Sequence, residues 1–256
     1  MGGDVVLSTA TLLGFVLTLA RMAGIMVFVP LPGLSASLGP ARVILTLGVT
    51  VALYPQWPRV AELPSAGQFV MWLVLEATLG IGIGVAVSFI SEAFAIGAQV
   101  MGLQAGYAFA STIDPTTQAD SSVLAIFTQI AAGMLFFASG MDREVIRIFA
   151  RSLETYPAGS FVLTKAAAGQ VLALGGSMFT TGLRLALPLV AVLVMVDISL
   201  ALLGRVNAQL QLITIAFPVK MLVALAMLGW VALLLPALFR AQCGATFGVA
   251  RGLIAR

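Results

Sequence analysis

Long apolar runs with few charges are the feature that most limits how this chain can fold. Because the hydrocarbon core of a bilayer is about 30 Å thick, a helix needs roughly 20 apolar residues to cross it. Five stretches reach or approach that length: Val5–Val29, Phe69–Ile90, Val123–Ser139, Ala166–Leu203 and Leu212–Phe239. Two further stretches, Val43–Leu53 and Ala93–Ala110, are short or interrupted by glutamine. We predict an all-α, membrane-associated protein with five to seven helices.

The amino-acid composition excludes a water-soluble particle. Hydrophobic residues make up 61% of the 256 residues and charged residues only 9%, whereas soluble domains average about 25% charged residues. Prolines inside the last two apolar runs predict long helices that bend, and Gly80 and Gly84 have the spacing that lets two membrane helices approach closely. No linker divides the sequence, so we expect a single domain, residues 1–256.

The residue types that the sequence lacks limit its chemistry. There is no histidine, which excludes a Ser-His-Asp triad and any histidine-ligated metal. The single cysteine, Cys243, forms no intrachain disulfide or thiolate cluster. A net charge of +3 is too small for nucleic-acid binding. These counts exclude several enzyme classes and a nucleic-acid partner, and we expect no catalytic residue, metal or cofactor; an intramembrane transferase or protease is the enzyme alternative.

Charged residues inside the apolar runs are the candidate functional residues. Each costs about 2.5–3.5 kcal/mol at the centre of a bilayer, so such groups usually face a bundle interior, a partner or a water-filled path. Near the end of a span, Arg and Lys side chains extend to the interface instead. Pairing within the chain, contact with another subunit and contact with a transported substrate all remain open. The candidates are Arg21, Glu76, Glu92, Arg184, Asp197, Arg205 and Lys220.

One stretch, Asp142–Glu154, is clearly amphipathic. Arg143, Arg147 and Arg151 recur every four residues and therefore line one face of a helix. The pattern fits a helix that lies along the membrane surface, and it also fits a face on which a soluble partner docks. This region and the C-terminal end are both rich in basic residues, which places both on the cytoplasmic side by the positive-inside rule.

The segment Tyr107–Asp120, which we call the central segment, is unlike the rest of the chain. Its sequence, YAFASTIDPTTQAD, forms a polar, proline-containing turn between two apolar runs. This fits an ordinary loop between helices. It also fits a constriction or plug, because irregular backbone at membrane depth is tolerated only beside protein or water. The spacing of the residues leaves both interpretations open.

The central segment is also the part that most resembles a known family. The run QAGYAFASTIDP, residues 104–115, resembles the central motif of the FliR/SctT family, the export-gate proteins of bacterial flagella and type III secretion systems. Asp197 and Arg205 match charged positions near the family's C-terminus. Four other runs resemble the family in the same order: RMAG at 21–24, the glycine-rich run 76–84, FFASG at 136–140 and FPVK at 217–220.

The chain departs from the family pattern just after Arg205. It has Ala208 and Gln211 where the family usually has proline and asparagine, and Ile213 where phenylalanine is common. The departure affects the contacts expected around Arg205 more than it affects the family assignment.

The resemblance implies a subunit of a hetero-oligomeric export gate in the bacterial inner membrane, within the flagellar basal body or a related secretion system. The implied partners are FliP, FliQ and FlhB homologues. Unfolded flagellar or effector proteins would pass through the centre of the assembly. The alternative is a stand-alone, multi-pass transporter of small solutes, which predicts a binding site at the membrane midplane between broken helices.

The resemblance further implies that the central segment is a plug. Its aromatic and aliphatic residues Tyr107, Phe109 and Ile113 would block the path, and Asp114 with Pro115 would fix the turn. The charged residues would be subunit contacts or buried charges: Arg21, Glu76, Arg184, Asp197, Arg205 and Lys220.

Overall fold

A computed structural model describes residues 8–30, 39–58, 60, 63–107, 123–162, 164–206 and 212–254 of the chain. Within these ranges the structure consists of helices without any β-strand, which confirms the all-α prediction. The helices are α1 (Thr9–Phe28), α2 (Pro40–Ala52), a 3₁₀ turn (Tyr54–Gln56), α3 (Ala66–Ala105), α4 (Val123–Ala138), α5 (Met141–Thr155), α6 (Lys165–Val206) and α7 (Leu212–Ile254).

Four helical stretches in the described residues are long and apolar enough to cross a membrane. They are Thr9–Phe28, Ala66–Ala105, Lys165–Val206 and Ala232–Gly252. Helices α3, α6 and α7 contain 40, 42 and 43 residues. At a rise of 1.5 Å per residue each is about 60 Å long, roughly twice the thickness of a hydrocarbon core. Part of each helix therefore lies outside the hydrocarbon when the helix crosses a bilayer.

Two helices extend beyond the apolar runs seen in the sequence. The run Phe69–Ile90 stops before Ser91 and Glu92, but α3 continues through this point to Ala105. Its buried face is continuous there, since Ile90, Ala93 and Phe94 are at most 1% exposed, and the two polar residues are compatible with helix. Helix α7 likewise continues past Phe239 to Ile254, although Pro236 lies within it.

The chain forms two compact units that are built from interleaved segments. Unit 1 contains Met1–Phe89, Phe136–Gly175 and Gly244–Arg256, and unit 2 contains Ile90–Leu135 and Gly176–Cys243. Helices α3, α6 and α7 each contribute to both units. The expected single domain, residues 1–256, stays a prediction.

In unit 1, α1 and α3 pack with their backbones in close approach. A Cβ atom built on Gly80 would lie 2.0 Å from the carbonyl oxygen of Arg21, and one on Gly84 would lie 2.8 Å from that of Ile25. From the α1 side, a Cβ on Gly24 would lie 2.7 Å from the carbonyl oxygen of Ala77. The close approach predicted from the spacing of Gly80 and Gly84 is therefore present, and α1 is the partner helix.

We expect alanine at Gly80 to lower the free energy of unfolding by about 1–3 kcal/mol, because the new methyl group meets backbone that cannot move aside. Gly82 is the matched control, since a Cβ built there has nothing within 4 Å. Alanine at Gly82 should leave stability unchanged or raise it slightly through helix propensity. Denaturant unfolding of the detergent-purified protein measures both, and equal stabilities would contradict the α1–α3 contact.

Helix α5 buries its apolar face within unit 1. Val145, Ile148 and Phe149 are at most 3% exposed, whereas Arg143 and Arg147 are exposed. The predicted amphipathic helix is therefore present. Its apolar face is covered by the protein itself and is not available for insertion into a membrane surface.

In unit 2, the C-terminal half of α3 packs against α6 and α7. A Cβ built on Gly182 of α6 would lie 2.7 Å from the carbonyl oxygen of Ala93. The rings of Phe94 and Phe239 have centroids 5.6 Å apart. These contacts bring the end of α3, where the central segment begins, next to the helices that carry Asp197 and Lys220.

Candidate functional site

A buried ion pair joins α1 to α3 in unit 1. The Nε atom of Arg21 donates a hydrogen bond to Oε2 of Glu76, and each residue is 1% exposed. The two helices approach closely at Gly80, one turn beyond Glu76. The structure thus brings together two of the charged residues that the sequence singled out.

The remaining donors of Arg21 bind the C-terminal end of α5. Its Nη1 atom donates to the carbonyl oxygen of Ser152 at 2.5 Å, and its Nη2 atom donates to the carbonyl oxygen of Tyr156 at 3.0 Å. Both carbonyls lie at the negative end of the helix dipole, where a cation is favourable, and the Ser152 carbonyl also accepts the backbone N–H of Tyr156 at 3.1 Å. The backbone N–H of Gly159 donates to Oε1 of Glu76 at 3.2 Å.

This network has a structural consequence. Arg21 and Glu76 together bind Ser152, Tyr156 and Gly159, and they connect α1, α3 and the end of α5. A charge pair in such a place is tolerated because the rest of its hydrogen-bonding capacity is used. The sequence identified the two charges, but it carried no signal for Ser152, Tyr156 or Gly159, which contribute mainly backbone atoms.

A second ion pair joins α6 to α7 in unit 2. Oδ1 of Asp197 lies 2.7 Å from Nζ of Lys220, and Oδ2 accepts a hydrogen bond from Nε2 of Gln104 at 3.3 Å. The Lys220 side chain is 16% exposed and that of Asp197 is 42% exposed. Three helices therefore meet at one carboxylate, which is more accessible than the Arg21–Glu76 pair.

The end of α3 is fixed beside this pair. Gly106 adopts a φ of +85°, a left-handed conformation that ends the helix, and a Cβ built there would lie 2.9 Å from the ring of Phe217. The hydroxyl of Tyr107 donates to the carbonyl oxygen of Met221 at 3.3 Å. Helix α7 thus holds both residues at the point where the central segment begins.

We call this group the anchor cluster; it consists of Gln104, Tyr107, Asp197, Phe217 and Lys220. It explains why two motifs that lie far apart in the sequence belong together. In the FPVK run, phenylalanine packs on the glycine that ends α3 and lysine pairs with the aspartate of α6. The sequence interpretation took Gln104 as an interruption of an apolar run and as the first residue of the family motif. The signal that it missed was a polar side chain that needs a partner.

The other predicted site residues are not in either centre. Arg184 and Arg205 are both exposed on α6, and neither has an acidic partner among the described residues. Glu92 is exposed on α3. The plug residues Phe109, Ile113, Asp114 and Pro115 lie outside the residues that the structure describes.

A further ion pair, which the sequence did not predict, joins α5 to the end of α7 in unit 1. Arg251 donates to Oε1 of Glu144 through Nε at 3.1 Å and through Nη2 at 2.5 Å. This hydrogen bonding holds the pKa of the Glu144 carboxyl below its usual value. The carboxylate therefore stays ionised at neutral pH, and the contribution of the pair to stability is lost only when acid protonates it.

The fold and these centres define an all-α membrane protein whose apolar helices are joined by internal ion pairs. Residues 12–246 match the model of a family described as bacterial export proteins, family 1. The chain belongs to this family, which confirms the predicted resemblance to FliR/SctT proteins. It is therefore a component of a bacterial protein-export apparatus.

Curated relatives agree with this assignment. The chain is 31% identical over 201 residues to the flagellar biosynthetic protein FliR of Escherichia coli (strain K12), and the match covers 77% of each protein. It is 31% identical over 198 residues to FliR of Pectobacterium carotovorum subsp. carotovorum, over 76% of each. It is 23% identical over 203 residues to FliR of Caulobacter vibrioides, over 78% of this chain and 81% of the relative.

Proposed function

We propose that this chain is a non-enzymatic subunit of the flagellar export gate in the bacterial inner membrane. Together with FliP and FliQ homologues, and beside an FlhB homologue, it forms the channel through which unfolded export substrates pass. Support comes from the family membership, from relatives that are FliR proteins, and from the four helical stretches of membrane length. On this proposal the 256 residues act as one export-gate domain.

The central segment is the plug of this channel. In the sequence, the central segment lies between the end of α3 at Ala105 and the start of α4 at Val123. It contains three bulky apolar side chains, Tyr107, Phe109 and Ile113, which suit the closure of a water-filled path. Asp114 and Pro115 follow them and set the turn.

The anchor cluster is the observation that carries this proposal. A plug closes a channel only if one end of it is attached at a fixed position. Here α7 holds Gly106 and Tyr107, and the same helix is bound to α6 through the Asp197–Lys220 pair. The end of α3 and the first residue of the plug are therefore fixed to two other helices by contacts that an ordinary loop does not need.

Two exposed arginines on α6 are candidate contacts with partner subunits. The most apolar window of this helix is only 22% buried, and Arg184 and Arg205 are exposed on it. A cation that faces lipid near mid-membrane is costly, whereas one that meets an acidic or polar group of a neighbour is not. We therefore propose that α6 packs against FliP or FliQ homologues, with these arginines in the contact.

Deletion of Ser111–Thr116 tests the plug. We expect the assembled gate to leak small ions when this part of the plug is missing, as measured by conductance or by dye release from vesicles. A control that replaces Ser111 and Thr116 with alanine keeps the length of the segment and should stay closed. Normal assembly with unchanged leakage in the deletion variant would overturn the plug.

Purification of the tagged chain tests the partners. FliP and FliQ homologues should co-purify with it, and their absence from a functional preparation would contradict the proposed gate. Transport of a small solute by the purified chain alone would instead support the alternative, a stand-alone transporter.

A further inference from the structure

A basic cleft lies between α5 and the C-terminal end of α7 in unit 1, and neither residue of the Arg21–Glu76 pair lines it. It has a volume of about 330 Å³ and all of its lining residues belong to unit 1. The lining residues are Glu144, Arg147, Ile148, Arg151 and Arg251. Three guanidinium groups therefore share a small space with a single carboxylate.

The carboxylate does not neutralise the cleft. Glu144 already accepts two hydrogen bonds from Arg251 on Oε1, and Oε2 accepts one from Nη1 of Arg147 at 3.3 Å. Among the described residues Arg151 has no acidic partner. Two positive charges are left over, and the side chains of Arg147 and Arg251 are 72% and 56% exposed, so that their donors are accessible from outside.

The position of Arg251 indicates the level at which the cleft lies relative to the membrane. Arg251 lies in the last turn of Ala232–Gly252, a stretch that is long and apolar enough to cross a membrane. A basic residue at the end of such a stretch lies at the level of the lipid headgroups. Because α5 is bound to Arg251 through Glu144, its arginines share that level. Basic pockets between membrane helices at this depth suit anionic lipid headgroups.

The guanidinium groups that line the cleft favour a phosphate group as the ligand. A guanidinium is planar and donates two parallel hydrogen bonds to phosphate oxygens. The cleft has room for a headgroup, whereas its volume is small for a folded protein surface to enter. We propose that this cleft binds the phosphate headgroup of an anionic phospholipid, held by Arg147, Arg151 and Arg251.

Glu144 has a positioning role in this site. It holds Arg251 against α5 and offsets one of the positive charges. Glu144→Gln keeps a side-chain oxygen that accepts from Arg251 and removes the negative charge, so it should strengthen the attraction of an anion. Substitution of the arginines should weaken that attraction. A substitution that merely damaged the site would not strengthen binding.

The test measures which lipids stay with the full chain in its purified complex. The complex is reconstituted in nanodiscs of mixed phosphatidylglycerol and phosphatidylcholine, extracted in mild detergent, and analysed by mass spectrometry of the retained lipids. We expect phosphatidylglycerol to be enriched. The double variant R147Q/R151Q should reduce that enrichment by about fivefold for each arginine, and Glu144→Gln should increase it.

Arg240→Gln is the matched control. Arg240 is another exposed arginine on α7, it does not line the cleft, and its Nε atom donates to the carbonyl oxygen of Pro236. Arg240→Gln removes one positive charge from α7 outside the cleft and should leave lipid enrichment unchanged. A loss of enrichment equal to that of the double variant would show a general effect of charge and would overturn the site.

Three further outcomes would overturn the proposal. Equal phosphatidylglycerol retention by the wild type and by R147Q/R151Q would remove the cleft as the binding site. Stabilisation of the complex by inorganic phosphate in discs of phosphatidylcholine alone, without any preference for phosphatidylglycerol, would show a site for free anions. Loss of a co-purifying protein from R147Q/R151Q with unchanged lipid content would show that the arginines bind a partner protein.

Discussion

Replacing Arg21 with methionine is expected to lower the free energy of unfolding by about 3–5 kcal/mol. Glu76 would keep its charge at a position that is 1% exposed, and no other cation in the described residues is within reach of it. The carbonyl oxygens of Ser152 and Tyr156 would each lose the hydrogen bond that Arg21 donates as well. Equilibrium unfolding of the detergent-purified protein measures the loss. We expect it to be the largest effect of any single arginine substitution described here.

The double variant R21M/E76L separates the cost of an unpaired charge from the loss of contacts. Apolar replacements of a whole buried pair are often tolerated, so the double variant should be more stable than R21M alone. Recovery should be incomplete, because the N–H of Gly159 and the carbonyl oxygen of Tyr156 lose the hydrogen bonds that Glu76 and Arg21 make to them. Arg184→Met is the control, since Arg184 is exposed. Equal losses in R21M and R184M would contradict the importance of the buried pair.

The helical type of the secondary structure was largely predictable because it depends on local composition. Apolar runs of about 20 residues leave few alternatives to helix in a membrane. The boundaries were less predictable. The polar residues Ser91 and Glu92 separate two apolar runs in the sequence, but α3 continues through them, since a helix satisfies its own backbone whatever side chains it carries. Such residues end a helix only when a cap or a proline competes for the backbone.

The residues that contact each buried charge or apolar face could not be predicted from the sequence in the same way. Hydropathy indicates that a charge such as Arg21 needs a partner, but not which residue provides it, and Glu76 lies 55 positions away. The amphipathic pattern of α5 shows which face needs to be covered. It does not distinguish lipid from protein as the cover, and here the chain covers the face itself.

The charges of the candidate site were identifiable from the sequence, but their grouping was not. Nothing in the sequence explains why the central motif and the FPVK run occur together, whereas the packing of Phe217 on Gly106 supplies a reason. The partner of Asp197 was left open, and it lies within the chain, at Lys220. The roles of Phe109 and Ile113 stay predictions, since both lie outside the described residues.

Replacing Lys220 with methionine should have the largest effect on the gate. Asp197 would keep a charge within a strongly apolar helix, where an unpaired carboxylate costs about 2.5–3.5 kcal/mol near mid-membrane. The end of α3 would lose a contact that depends on the same carboxylate, since Gln104 also binds it. We expect lower recovery of the assembled complex, and ion leakage through the complexes that do form. Co-purification yield and conductance measure the two effects.

The exchange of the two charges makes this prediction specific. In D197K/K220D the pair is reversed but present, so assembly and closure should recover relative to K220M. Arg205→Met is the matched control, because it removes a cation from the same apolar helix that carries Asp197, eight positions further on. Arg205→Met should reduce assembly if α6 contacts a partner subunit at Arg205, but it should leave the assembled gate closed. Leakage of equal size in R205M and K220M would show that loss of any cation opens the gate, and the anchor cluster would then have no special role in holding the plug.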